Sequence, residues 1–385
     1  MERFFDCNCL GIALTRAMNR HAATAVLISS LLLSACGGSD SGDNPSPSPT
    51  AEPSCSRDAL ALMLTSELEM VTTDVDFSFY LEDAQGDFFS YNRGSSTLDT
   101  PYQSASTSKW VSAAVILQLV DRELMDLDDT PQVYLTSAQW DLPVASPLND
   151  ITLGQLLSFT SGLNDDVLCN NAPGFDFFEC VSNIADSHAQ VTTQPGSEFS
   201  YGSNHLQVAG AMAVSGGGYE SWAELFADFK SVTGLFPHSS YNLPSETNPR
   251  LAGGMTWTAN DYIDFIRAYR DADIYTSNSL VTAATSDQIA DATIVNSPAF
   301  NAIAEEWHYG YGLWLECHSN SWEAECGNSP TVSSPGAYGA YPFLNLGNGS
   351  FGIVARQGEL GSFREGYALF DSVRDTVDDW VACDQ

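Results

Sequence analysis

Residues 101–120, PYQSASTSKWVSAAVILQLV, decide how the rest of the chain is read. From Trp110 onward the stretch is almost wholly apolar, and Ser and Thr residues stand at its head as helix-start caps. The pattern predicts a helix over 107–124. At its start, Ser106-Thr107-Ser108-Lys109 forms an SxxK element. Three residues bring Ser106 and Lys109 onto one helix face. The helix start offers a positive field and free N–H groups to a developing oxyanion. A partly desolvated Lys can lose its proton and deprotonate the Ser. Spacing alone is a weak signal, because a solvated Lys on a capped helix has the same pattern.

The chain around this element is acidic. Its 385 residues carry 49 Asp and Glu against 14 Lys and Arg, for a formal net charge of −35. No basic stripe is available for nucleic acid or for anionic lipid. With 44% hydrophobic and 16% charged residues, the chain has ample apolar surface to bury. The acidic excess bears on solubility or a salty habitat, not on fold. Twelve of the basic residues are Arg, and only Lys109 and Lys230 are Lys. Arg cannot give up a proton. One of two lysines standing three residues after a Ser therefore favours a chemical role for Lys109.

Upstream, Arg20 precedes the apolar run Ala22–Leu33, which fits a signal-peptide core and is too short to span a bilayer. Leu33-Ser34-Ala35-Cys36 resembles the bacterial lipobox, which implies lipidation of Cys36 and cleavage before it. Residues 1–35 are thus expected to be a lipoprotein signal, with Met18 as an alternative start. Residues 36–54 hold the lipidated Cys and a Gly/Ser/Pro tether. The expected location is the cell envelope of a bacterium, anchored by lipid at the periplasmic face or cell surface. Residues 55–385 form the folded body. Its six cysteines allow fifteen pairings. Close spacing suggests Cys169–Cys180 and Cys317–Cys326, which leaves Cys55–Cys383. A zinc site is the alternative, but no CxxC spacing or nearby His pair supports it.

Within the body, Leu60, Leu64, Leu68 and Val71 recur at helical spacing over 56–73. Residues 74–93 read as a hairpin about Gly86. The middle is richer in helix signals and loops. Strand patterns return in YGYGLWLEC, PTVSSPGAYGAYPFLNL and GSFGIVARQG, before an amphipathic helix over 363–382. The fold class is therefore α/β, of the α+β kind: an antiparallel sheet flanked by terminal helices, with a mostly helical lobe inserted. The α/β lobe is expected over about 55–125 and 305–385, and the helical lobe over about 126–304.

Further motifs follow the SxxK helix in order: LDDTPQVYL, ITLGQLLSFTSGL, PGSEFSYGSNHLQVAG and AGGMTWTANDY. The series resembles the serine β-lactamase-like hydrolases, in the branch holding class C β-lactamases, DD-peptidases and related esterases. The resemblance covers nearly all of 56–382. It implies an acyl-enzyme at Ser106, with Lys109 and Tyr201 moving protons and no metal or cofactor. Tyr201-Gly202-Ser203 matches the family's YxN element, with Ser203 where Asn is usual and Asn204 one residue later. Ser334-Pro335-Gly336 matches the third element. The N–H groups of Ser106 and Ala337 would form the oxyanion hole. Ser334 stands where the family usually has a Lys or His that holds a substrate carboxylate. The expected preference moves toward neutral esters and amides, unless Arg356 restores the cation.

Three functions compete at this point: a carboxylesterase or amidase, a β-lactamase or peptidoglycan DD-peptidase, and a non-catalytic binding lipoprotein. A small-molecule or peptide-like acyl substrate and a monomeric chain are expected, without nucleic acid. Rival motifs such as G-x-S-x-G, H-E-x-x-H and the P-loop do not occur. His205 reads as a rim residue, and Trp307, Trp314 and Trp322 as core or cleft wall.

Overall fold

The computed structural model describes residues 55–328 and 330–383. The signal segment, Cys36 and the tether lie outside the described residues. A seven-stranded antiparallel sheet is assembled from both ends of the body. Across it the strands run Phe88–Asn92, Phe77–Glu82, Phe351–Arg356, Tyr341–Asn345, Thr331–Ser333, Trp314–Leu315 and His308–Tyr309. The first two form the hairpin expected about Gly86, whose φ of +90° suits glycine. Phe77–Glu82 is buried at every position, because it pairs on both edges and both faces of the sheet are covered.

Helices account for that covering. Arg57–Met70 and Arg374–Ala382 pack side by side, and the Cys55–Cys383 disulfide joins their ends. Phe363–Asp371 lies on one sheet face, with Phe370 against Tyr341 and Phe343. Ala259–Arg270 covers the other face, where Arg267 and Arg270 reach Glu82 and sit over Phe351. That helix lies within the span expected for the inserted lobe, yet it packs on the sheet. Cys169–Cys180 and Cys317–Cys326 are also disulfides, as their spacing suggested.

Two expected elements are divided. The helix over 363–382 breaks between Asp371 and Arg374. Ser372 Oγ donates to the Leu369 carbonyl at 2.7 Å, a back-bond that competes with helix continuation. Tyr367, Phe370, Val373, Val377 and Trp380 are nonetheless all buried. YGYGLWLEC is a tight hairpin rather than one strand, turning at Gly310–Gly312. Gly312 has φ +76°, and a Cβ there would lie 2.5 Å from Ala113 Cβ and 2.6 Å from the Lys109 carbonyl. The turn presses directly on the SxxK helix.

That helix runs over Ser108–Asp121, and every residue from Ser108 to Leu119 is buried. An all-round apolar sequence is what such a position requires. Trp110 alone meets Tyr262, Phe265 and Tyr269 edge-on. Burying large side chains such as Trp110, Ile116 and Leu117 stabilises the fold by about 2 kcal/mol each, which fixes the platform beneath Ser106. None of the described helices is long and apolar enough to cross a membrane.

Candidate active site

Ser106 sits in a 3₁₀ turn, Ala105–Thr107, that leads into the Ser108–Asp121 helix. Ala105, just before it, has φ +45°, a left-handed conformation costly for a residue with a Cβ. Lys109 Nζ lies 3.1 Å from Ser106 Oγ and donates to the Ala252 carbonyl at 2.7 Å. It also sits over the Tyr201 ring, 4.5 Å from its centroid. The ammonium is buried and makes no ion pair among the described residues. Burial lowers its pKa to about 7, helped by the Arg250 charge and opposed by Asp166. A Lys in this state can accept the Ser106 proton near neutral pH.

Tyr201 follows the short strand Glu198–Ser200, which pairs in parallel with Thr293–Asn296. Asn296 grips its backbone from both sides, accepting from Tyr201 N–H at 3.0 Å and donating to its carbonyl at 2.8 Å. The ring stacks on Trp314 at 5.0 Å and meets Phe159 edge-on. Burial holds the phenol well above its ordinary pKa, and the neighbouring Ser106 hydroxyl and Trp314 indole draw it back only in part. Tyr201 is thus a neutral phenol at neutral pH.

The residues beside it divide. Ser203 lines the cleft. Asn204 does not: it is fully buried, accepts from Asn170 Nδ2 at 2.7 Å and donates to the Asp165 carbonyl at 2.7 Å. One residue along a helix start turns a side chain away from its neighbour's direction, here into the fold. His205 is likewise under the site rather than on its rim. Its ring stacks on Phe159, its Nε2 donates to the Ser200 carbonyl at 2.9 Å, and its Nδ1 pairs with Ser161 Oγ at 2.8 Å. Burial lowers its pKa to about 4, so it stays neutral.

The third element closes the other side. Ser334 is buried, and its hydroxyl donates to the Ser106 carbonyl at 3.0 Å, so it braces the turn that carries Ser106 from behind rather than reaching into the cleft. A Cβ on Gly336 would lie 2.6 Å from the Ser104 carbonyl. Only glycine permits that approach. Ala337 lines both cavities at Ser106, and its N–H has no acceptor among the described residues. Arg356 faces away from the cleft. It is buried, paired with Asp74, and lines neither cavity.

Ser106 therefore stands between two cavities. One, of about 330 Å³, is mostly apolar, with Pro298, Ala299, Ala302, Trp314 and Phe363 in its wall. The other, of about 200 Å³, is the more polar of the two and holds Lys109, Asp166, Ser203 and Arg250. Of the three tryptophans, Trp314 alone lines one of these two cavities. Trp307 packs against Phe363 and Tyr367, and Trp322 stacks on His308. No cluster of three or more metal-ligating side chains occurs among the described residues.

A model of the beta-lactamase family matches residues 85–368. The chain belongs to the beta-lactamase family. A relative, penicillin-binding protein 4 of Amycolatopsis lactamdurans, is 26% identical over an alignment of 291 residues that covers 67% of this chain and 72% of that one. A putative beta-lactamase from Bacteroides dorei superposes with a TM-score of 0.69 at 26% identity, covering 84% of this chain and 100% of its own. EstCE1, a hydrolase with promiscuous acyltransferase activity, shares the fold at TM-score 0.63 and 16% identity, over 83% of this chain and 97% of its own.

Two residues of this beta-lactamase-family site carry no motif of their own. Asp166 Oδ1 accepts from the N–H groups of Ser203 at 2.6 Å and Asn204 at 3.3 Å, and so fixes the helix start that follows Tyr201. Arg250 enters from an irregular segment ahead of the Met255–Trp257 strand. The dipeptide Gly253-Gly254, three residues after Arg250, is the one sequence signal that marks the place.

Proposed function

We propose that the chain is a serine hydrolase acting on a carboxylic ester or amide through an acyl-enzyme at Ser106. One observation carries this reading: a buried Lys109 without a carboxylate, 3.1 Å from Ser106 Oγ and with its pKa lowered to about 7. Lys109 takes the Ser106 proton as Oγ attacks the substrate carbonyl carbon. The N–H groups of Ser106 and Ala337 hold the oxyanion. Tyr201, a neutral phenol, protonates the leaving group as its bond to the acyl carbon breaks, and is reprotonated from Lys109. Water then attacks the acyl carbon and frees Ser106. The apolar cavity beside Trp314 takes an apolar part of the substrate. A panel of chromogenic esters, amides and a cephalosporin tests the reading. Turnover by the wild type that is lost in Ser106→Ala supports it. Equal turnover by both proteins contradicts it.

The alternative substrate is a β-lactam or a peptidoglycan stem peptide. Arg250 favours it, since such substrates carry a carboxylate. Stable labelling by a fluorescent penicillin, or its rapid turnover, decides for that substrate. Export as a lipoprotein anchored at Cys36 belongs to the same proposal. Three disulfides favour an oxidising compartment. Metabolic palmitate labelling that persists in Cys36→Ala would contradict the anchor.

A further inference from the structure

In a chain of net charge −35, basic side chains find carboxylates easily. Among the described residues, Arg57, Arg122, Arg267, Arg270, Arg356 and Arg374 each pair with one. Arg93 turns to the Leu68 and Val71 carbonyls, and Arg364 is exposed. Arg250 is different. It lines the polar cavity with Ser106, Lys109, Tyr201 and Ala337, and makes no ion pair among the described residues. Its acceptors are neutral: the Asn171 side-chain oxygen and the Gly253 carbonyl at 3.5 Å. Asp166 shares the cavity, but its Oδ1 is committed to the Ser203 and Asn204 N–H groups.

The guanidinium is held in a prepared place. Arg250 N–H donates to the Leu243 carbonyl at 2.8 Å, and Gly253 N–H donates back to the Arg250 carbonyl at 3.1 Å. A Cβ on Gly253 would lie 2.6 Å from Nη2 and 2.9 Å from Nε. Gly253 thus leaves the space into which the side chain folds. We infer that Arg250 is a carboxylate-binding group, holding a carboxylate on the part of the substrate that lies across Ser106 from the apolar cavity. A planar fork of donors suits a carboxylate. A half-buried guanidinium with only neutral partners gains from a counter-charge. Asp166 on the same wall disfavours a dianion such as a phosphate monoester, and the small cavity suits a compact monoanion. Burial, with Tyr338 and then Asp166 acting against it, already lowers the Arg250 pKa. The cation that Ser334 leaves out of the third element is in this way supplied from another segment.

This inference rests on the serine-hydrolase reading, and its test separates the two. Two matched ester pairs are assayed: 3-carboxyphenyl butyrate against phenyl butyrate, and mono-4-nitrophenyl glutarate against 4-nitrophenyl valerate. The first pair places the carboxylate in the leaving group and the second in the acyl group. The readout is the ratio of kcat/KM, charged to neutral, so that any effect common to both esters cancels. In Arg250→Gln the ratio should fall about ten- to a hundredfold in one pair, mainly through KM, with partial recovery in Arg250→Lys. Gly253→Ala should lower the same ratio. An unchanged ratio in both pairs overturns the inference. Binding of the same esters to Ser106→Ala, measured by calorimetry, gives a readout independent of turnover. Weaker binding of a charged ester by Ser106→Ala/Arg250→Gln supports the site even if the wild type hydrolyses nothing. Equal binding overturns it.

Discussion

On the sheet face covered by Ala259–Arg270, Glu82 accepts from Arg267 Nη2 at 2.7 Å, Arg270 Nη1 at 3.1 Å and the Tyr80 hydroxyl at 2.6 Å. In the cleft, Lys109 and Arg250 have only carbonyl, hydroxyl and amide partners. Both regions bury charge, but only the first matches it. Burial alone would raise the Glu82 pKa, yet Arg267, Tyr80 and Arg270 outweigh it and hold the carboxyl below its usual range. Lys109 has only the more distant Asp166 charge to set against burial and Arg250, and its pKa falls. Matched charge fixes the helix on the sheet, and unmatched charge is what the proposed base and anion holder require.

The largest test of that contrast is Lys109→Arg, which keeps the charge and removes the base. Its kcat should fall by about a hundred- to ten-thousandfold, measured on the best ester of the panel. A fall of only a few-fold would return Lys109 to a structural role. Gly336→Ala comes next. Its Cβ would push on the Ser104 carbonyl, shift the turn that carries Ser106, and lower kcat of the folded protein by about a hundredfold, with thermal stability lowered too because the clash is with backbone.

Glu82→Gln probes the matched region. It takes the shared carboxylate from two guanidiniums, which keep Asp264 and Asp271 as partners, and should cost about 2 kcal/mol in denaturant unfolding, while specific activity of the folded protein stays within about twofold. The pH sign follows from the depressed Glu82 pKa. Its contribution is present above the ordinary carboxylate range and is lost as pH falls through the lower folded value. Glu82→Gln should therefore flatten the acid side of the stability profile. The smallest effect is a shift in the rate profile. Wild-type kcat/KM should rise with pH through about 7 as Lys109 loses its proton. Arg250→Gln removes a charge that repels that proton, so the rising limb should move to higher pH.

Sequence carried the parts of this account that depend on local order. The SxxK pair is legible because one helical turn brings its members together. The hairpin about Gly86 and the near-neighbour disulfides are legible for similar reasons. The Cys55–Cys383 bridge follows once the other four cysteines are paired. Arg356 misled because a strand pattern does not say which partner a buried side chain will meet, and Asp74 lies far away in sequence. Asn204 misled by a single residue of helical phase. Arg250 is 144 positions from Ser106 and sits in irregular backbone, where no period exists to predict its direction. Its neutral surroundings emerge only when the Asn171, Gly253 and Asp166 segments converge.

The central claim is that Ser106 becomes acylated through Lys109. Its most direct test is rapid quenching of the enzyme with a slow ester or a penicillin at pH 8, followed by peptide mass mapping. One acyl group is expected on the peptide bearing Ser106, none in Ser106→Ala, and formation slowed at least about a hundredfold in Lys109→Arg. An adduct on another residue, or equal labelling in Ser106→Ala, would contradict it.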